Sequence, residues 1–417
     1  MYARPPLAPP VPRRSVDGGG RRALALLGPA FVTAVAYVDP GNFATNVAAG
    51  STYGYLLVWV VVLSNVVAML IQYLSAKAGV ATGQSLPALC RDHAPSWLVW
   101  PMWAQAEVVA MATDLAEVVG GALALKLLFD VPMVAGGLLT AAVSFGLLRL
   151  TRRGHRPFEV MITGLLAVIL LGFGYALLVS GVSPGHLFAG AMPRFSGTDS
   201  VLLAAGMVGA TVMPHAIYLH GGLTSDRFGA PDGRSPARLR SVVRAQRIDV
   251  VVAMTLAGLM NLAMLVVAAA ALSGRHIETI EAAHAGIGDA LGRMAALLFA
   301  LALLASGLAA SSVGTLAGQV VMDGFIRRRI PLTVRRLLTL LPALGVLMVG
   351  VEPTRALVVS QVVLSFGIPF ALIPLVVFTR RADLMGELRN HWATTAVASV
   401  ASAAIVALNV FLVVQLG

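Results

Sequence analysis

The first long apolar run of this chain, from Leu24 to Ala49, carries one polar interruption, Ala36-Tyr37-Val38-Asp39-Pro40-Gly41-Asn42. A helical run of that length spans the ~30 Å hydrocarbon core of a bilayer at about 1.5 Å per residue. A carboxylate and a carboxamide then fall at mid-membrane depth, beside two helix breakers. Pro40 removes an amide N–H and pushes Asp39 out of helical geometry, while Gly41 admits backbone angles that other residues avoid. The carbonyls and amides freed by such a break are tolerated in hydrocarbon only where they are buried in protein or line a polar cavity, so the break marks a candidate binding site. A Pro-kinked helix whose Asp39 pairs with a buried base is the structural alternative. An aspartate at mid-span is rare and costly enough that a functional role outweighs it.

The rest of the chain is of the same kind. It has 417 residues, 58% of them hydrophobic and only 12% charged, with a mean hydropathy of +0.84. Too few charges remain to cover a soluble domain, which makes this an all-α polytopic membrane protein. The net charge of +11 does not point to nucleic acid, because the basic residues are scattered through short loops and form no continuous face. The single cysteine, Cys90, rules out an internal disulfide and any cysteine-based metal cluster, and reads as a small packing residue. Residues 1–22 hold Pro and Gly clusters and no apolar core, so they are expected to form a disordered cytoplasmic arm rather than a cleavable signal.

Eleven spans are expected, near residues 23–50, 54–79, 97–125, 131–150, 157–181, 199–224, 245–273, 293–322, 333–351, 354–379 and 392–416. With the N-terminus inside, only Lys126, Arg194, Arg275, Arg293 and Arg355 of the 30 basic residues fall outside, which sets a cytoplasmic N-terminus and an outer C-terminus. A second break appears in the sixth run, at Gly209-Ala210-Thr211-Val212-Met213-Pro214-His215. Five spans separate the two breaks, and an odd number of spans per repeat inverts the second copy. The expected architecture is therefore a five-plus-five inverted repeat, residues 23–181 and 199–379, with an eleventh helix at 392–416 and the site between the two unwound helices.

Asp39 and Asn42 offer hard oxygens, the frayed spans offer backbone carbonyls near Ala36 and Ala210, and Met213 offers a thioether sulfur. Oxygens alone suit magnesium or calcium; the sulfur adds affinity for later first-row ions such as manganese and iron. Gap filling is the ordinary job of a methionine, and its place beside Pro214 favours the ligand. In the third span Glu107, Asp114 and Glu117 lie within about 80° of one another on one helix face. Three acids on one stripe read as a proton relay, with ion pairs to Arg335 or Arg336 as the structural alternative; both can hold. His215 and His220 are about 140° apart on a regular helix, which argues against a two-histidine clamp. His215 beside the break is a gate or relay candidate, a buried structural histidine being nearly as good a reading, and the better one for His220. Gln361 in the tenth span adds a further carboxamide oxygen.

Asp-Pro-Gly-Asn in the first span together with Met-Pro-His in the sixth resembles the NRAMP family of proton-coupled divalent metal transporters. Thr113-Asp114-Leu115-Ala116-Glu117 and Gly318-Gln319-Val320-Val321-Met322-Asp323-Gly324-Phe325 extend the resemblance along nearly the whole chain. It implies a LeuT-like fold and transport of manganese or ferrous iron with protons across the cell membrane, with no resident cofactor and no obligate protein partner. It further implies that Asp39, Asn42, Met213 and the carbonyls of Ala36 and Ala210 bind metal, and that Gln361 joins as the site occludes. Asp39, Glu107, Asp114, Glu117, His215, His220, Arg335 and Arg336 would carry or tune the proton route. The family usually has Asn after Met-Pro-His; Ala216 stands here, which leaves the metal ligands intact and alters hydrogen bonding just below the site. A sodium-coupled organic-solute carrier of the same architecture fits Asp39 with Met213 poorly. An intramembrane metalloprotease would need His-Glu-x-x-His, which is absent, and a metal sensor would need a larger soluble domain.

Overall fold

The structure, a computed structural model, describes residues 28–150, 155–229, 235–275, 277, 279–328 and 330–416. The arm expected at 1–22 and the start of the first span lie outside them. The described chain is helical throughout. The first run is split into α1 (Pro29–Ala34), continued by a 3-10 turn over Val35–Val38, and α2 (Pro40–Tyr53). There follow α3 (Val58–Thr82), α4 (Leu86–His93), α5 (Ser96–Phe129), α6 (Met133–Leu148), α7 (His155–Val179) and α8 (Pro184–Gly190). The second broken run is α9 (Gly197–Thr211) and α10 (Pro214–Phe228). Then come α11 (Pro236–Leu272), α12 (Ile280–Leu291), α13 (Arg293–Ile326), α14 (Leu332–Val349), α15 (Pro353–Thr379), α16 (Ala382–Met385) and α17 (Trp392–Leu416).

Among the described residues eight of these, with α9 and α10 taken together, are long and apolar enough to cross a membrane, while α1 with its 3-10 turn and α6 are shorter apolar helices. Their surfaces agree with a lipid surround. Leu63 on α3, Leu171 and Leu178 on α7, Leu337 and Leu341 on α14 and Val400 on α17 are exposed, Leu178 to 86%. Contiguous apolar surface of that extent is not left facing water by a soluble monomer. The interior runs the other way: Gln72, Glu117, His220, Asp249 and Gln361 are fully buried, and groups of that kind persist inside only where they are partnered or functional.

α5 packs most extensively against α13, α2 lies against α11, and α15 packs on α5 and α9. α17 stands outside this body, packing on α15 and more lightly on α9 and α3. Two departures from the expected spans have clear causes. α11 begins at Pro236 rather than near 245, because Ser235 caps it by accepting from the Arg238 N–H and Leu239, Val242 and Val243 pack on Val80. The arginines of this segment occupy its other, exposed face, so their charge does not oppose the helix. The short helices α4, α8, α12 and α16 were not anticipated, being too brief to carry a readable period. Within α4, Cys90 is buried and burial pushes its thiol up, as a packing residue requires. Its neighbour Arg91 donates to the carbonyls of Asp323 and Gly324 at the end of α13.

The first helix is held from a distance. The N–H groups of Gly28 and Ala30, orphaned at the start of α1, both donate to Asp249 Oδ2 on α11, at 3.1 and 3.0 Å. A buried amide left without a partner costs about 1–3 kcal/mol. Asp249→Ala is therefore expected to lower the unfolding temperature in detergent, and Asp249→Asn, which keeps an acceptor oxygen, to retain most of the stability. Equal unfolding temperatures for Asp249→Ala and the parent would show that α1 is anchored by other contacts.

Candidate metal site

Two prolines shape the site, and each acts four residues upstream. In an α-helix the carbonyl of residue i accepts from the N–H of i+4, and proline has none. Pro40 thus strips the partner from the Ala36 carbonyl, and Pro214 from that of Ala210. Two neighbouring carbonyls at the first break are satisfied by side chains: Tyr37 O accepts from Asn261 Nδ2 on α11 at 2.7 Å, and Val38 O from Ser306 Oγ on α13 at 2.6 Å. The Ala210 carbonyl accepts from Asn42 Nδ2 at 2.9 Å, which ties the second break to the first.

Asp39 has left the helix, with φ −83° and ψ 170°, and serves as the N-cap of α2. Its Oδ1 accepts from the Asn42 N–H at 2.8 Å and from Asn42 Nδ2 at 2.7 Å. Capping uses one carboxylate oxygen only. The other, Oδ2, has Gln361 Nε2 of α15 at 3.5 Å, the outer limit of a hydrogen bond. Asn42 Oδ1 and Gln361 Oε1 are buried without any partner. Two carboxamide oxygens and a carboxylate oxygen are thus left undersatisfied at a junction where unpaired buried acceptors are costly. A cation would satisfy all three. Met213, fully buried, forms the N-cap of α10 at the second break. A Cβ at Gly41 would displace the Gln361 carboxamide from its place beside Asp39. No cluster of three His, Cys, Asp or Glu exists among the described residues; the donor set is one carboxylate, neutral oxygens and a sulfur.

The acids of α5 are divided by the structure. Glu107 meets Arg335 at 2.9 Å and Asp114 meets Arg336 at 2.9 Å. Arg336 also donates to Thr315 at 3.1 Å and to Ser311, and Gly318 leaves room for the Arg335 guanidinium. Glu117 differs from the expectation that an arginine holds each acid: it is fully buried, and neither carboxyl oxygen has a hydrogen-bond partner. The two arginines end on Glu107 and Asp114, which leaves none to reach it.

His215 Nδ1 sits 3.2 Å from Thr113 Oγ1, next to Asp114, linking the second break to α5. The Thr113 hydroxyl also lies 3.0 Å from the Val109 carbonyl, and His215 Nε2 has no partner, so whenever the hydroxyl donates to that carbonyl the ring donates from Nδ1 and Nε2 is left to accept. His220 points elsewhere, its Nδ1 2.7 Å from Gln72 Oε1, with Gln72 Nε2 donating to the Tyr37 hydroxyl at 2.5 Å. Thr113, Asn261, Ser306, Gln72 and Tyr37 were not singled out as site residues in the sequence. Their common signal, a hydrogen-bonding side chain inside an apolar run, is shared with many residues that only back-bond to their own helix, such as Thr140 to Gly136.

A family model described as "Natural resistance-associated macrophage protein-like" matches residues 30–415. The chain is 54% identical over 392 residues to the "Divalent metal cation transporter MntH" of Mycobacterium tuberculosis, covering 93% of this chain and 91% of the relative. Among solved structures it is similar to a manganese transporter of Eremococcus coleocola, with a TM-score of 0.86 and 30% identity over 95% of this chain and 88% of that one. It also shares its fold with Mhp1, a nucleobase-cation-symport-1 family transporter, at a TM-score of 0.55 and 15% identity, covering 93% and 89% of the two chains.

Capping by Asp39 and a role as metal ligand are separable by substitution. Asp39→Ser keeps a capping oxygen, preserving the roughly 1 kcal/mol a cap is worth, and discards the second oxygen with its charge. This variant is expected to unfold within a few degrees of the parent while manganese binding, measured calorimetrically, disappears. Retained binding would remove Asp39 from the site.

Proposed function

Because the chain belongs to the Nramp family, a family of membrane transporters and not of enzymes, we propose that it imports divalent transition metal ions, manganese or ferrous iron, into the cytoplasm together with protons. The observation that carries this reading is the junction of the two helix breaks, where one buried carboxylate keeps an oxygen engaged only by a long contact of 3.5 Å from Gln361 Nε2, among unpartnered carboxamide oxygens. Asp39, Asn42, Met213, Gln361 and the carbonyls of Ala36 and Ala210 form the metal site. A lone carboxylate leaves a divalent ion only partly neutralised, which suits release as well as capture, and the thioether of Met213 disfavours magnesium and calcium.

Glu117, buried beside the site without a base, and His215, with a free Nε2, are placed to take protons; Asp114 and Glu107, held by Arg336 and Arg335, continue the route away from the metal. His220, engaged with Gln72, tunes the packing of the second break. Transport proceeds by alternating access between two inverted five-helix repeats, residues 23–181 and 199–379, with α17 as an eleventh span. The repeat is supported by a shared detail of its third members. α5 and α13 each have 34 residues and each end on a non-glycine in the left-handed region, Asp130 and Arg327. The chain lies in the cell membrane with its N-terminus inside and its C-terminus outside, needs no resident cofactor or protein partner, and binds no nucleic acid. The fold likeness to Mhp1 leaves a sodium-coupled solute carrier as the rival, and the sulfur at the site argues against it.

In proteoliposomes with internal pH recorded, manganese uptake is expected to acidify the lumen. Met213→Ala should transport manganese while letting calcium or magnesium compete, because removing the sulfur leaves an oxygen site; an unchanged competition profile would make Met213 a packing residue. Asp114→Asn and Glu117→Gln should bind metal as the parent does yet acidify less per metal carried, since an amide keeps the shape of the acid without its exchangeable proton. Parental acidification by both variants would move the proton route elsewhere.

A further inference from the structure

The logic of Pro40 and Pro214 applies a third time, in α15. Pro369 lies inside that helix and removes the N–H that would pair with the Ser365 carbonyl. Ser365 is one helical turn from Gln361 on the same face, and it is fully buried. Its orphaned carbonyl is nevertheless satisfied, and from outside the helix: Asn409 Nδ2 of α17 donates to Ser365 O at 2.8 Å. The same carboxamide accepts from Ser365 Oγ at 2.5 Å, so one side chain holds both polar groups of one residue. Asn409 is itself 6% exposed on a helix otherwise turned largely toward lipid.

Resting on the metal site proposed above, we propose that Asn409 is a positioning residue for metal binding: it replaces the backbone donor that Pro369 removes, and so fixes the turn of α15 that sets Gln361 against Asp39. The opposite side of that turn is closed already. A Cβ at Gly209 would meet the Gln361 carbonyl and the Ser365 side chain, so α9 bears directly on the same two residues. Clamped between α9 and Asn409, the turn holds Gln361 Nε2 against Asp39 Oδ2 at 3.5 Å. Without Asn409 the Ser365 carbonyl is buried and unpaired, and the helix relieves it by shifting the turn that bears Gln361. On this account α17, which contributes no group to the metal site, acts on that site through a single carboxamide.

The test compares manganese affinity and the KM of uptake for Asn409→Ala, Gln361→Ala and the double variant. Asn409→Ala is expected to lower the affinity and raise the KM, each by about tenfold, the effect of one unsatisfied buried carbonyl, with little change in maximal rate, and to add nothing in the Gln361→Ala background. Ser365→Ala, which loses the hydroxyl half of the exchange and keeps the carbonyl half, should cost much less than Asn409→Ala. Restoring a backbone N–H by Pro369→Ala should make Asn409→Ala nearly silent. Additive effects with Gln361→Ala, or an equal loss from Ser365→Ala, would overturn the proposal. If Asn409→Ala does not fold, Pro369→Ala is expected to rescue it, and failure to rescue overturns the proposal too. Amide hydrogen exchange around residues 365–373, measured without metal, should speed up in Asn409→Ala. That arm reads the clamp alone, so a parent protein that binds no manganese would refute the metal site and leave the clamp standing or falling on exchange.

Discussion

A backbone carbonyl whose donor has been removed by a proline four residues ahead is the interaction problem around which this molecule is built. In an apolar interior such a carbonyl has no water to turn to, and leaving it bare costs on the order of a hydrogen bond each time. The structure meets this in two ways. In α15 a side chain from another helix takes the stripped carbonyl, as Asn409 takes Ser365 O, and at the first break side chains also take the carbonyls that the unwound turn frees, Asn261 that of Tyr37 and Ser306 that of Val38. At the junction, satisfaction is partial: Asn42 reaches Ala210 O while its own oxygen stays unpartnered. The difference between the two treatments leaves acceptor oxygens unpartnered at the junction of the two breaks.

The charges follow a related division. Arginine forks are matched with carboxylates where the ion pair is peripheral to the junction, at Glu107 and Asp114. A buried pair of this kind is weak evidence for stability, since desolvation offsets most of the attraction. Its use here is organisational: it fixes α14 against α5 and leaves Glu117 as an acid without a base. Of the three acids on α5, Glu117 is the one whose carboxyl oxygens are left without a hydrogen-bond partner.

The frame that holds these groups packs most extensively between α5 and α13 and, among the long helices, least around α17. The cap on α1 comes from Asp249, more than two hundred residues away in the chain. The short helix α1, just before the first break, is therefore held by a contact from a segment far along the chain.

Much of this was legible without coordinates. Long apolar runs determine helices that satisfy their own backbone, Pro40 and Pro214 determine where two of them break, and basic residues concentrated in alternate loops imply an orientation. These are local properties, set by covalent geometry and hydropathy within a few residues. The sequence by itself therefore determined the class, both breaks and the identity of Asp39, Asn42, Gln361 and Met213 as candidates. Only the tertiary structure decided which polar groups meet. That Arg335 takes Glu107 and Arg336 takes Asp114, that Glu117 is left alone, that His220 turns to Gln72, and that Ser365 is held by Asn409 all depend on helix rotation and depth. Those are settled by side-chain packing between segments far apart in the chain, and no local pattern of residues encodes them.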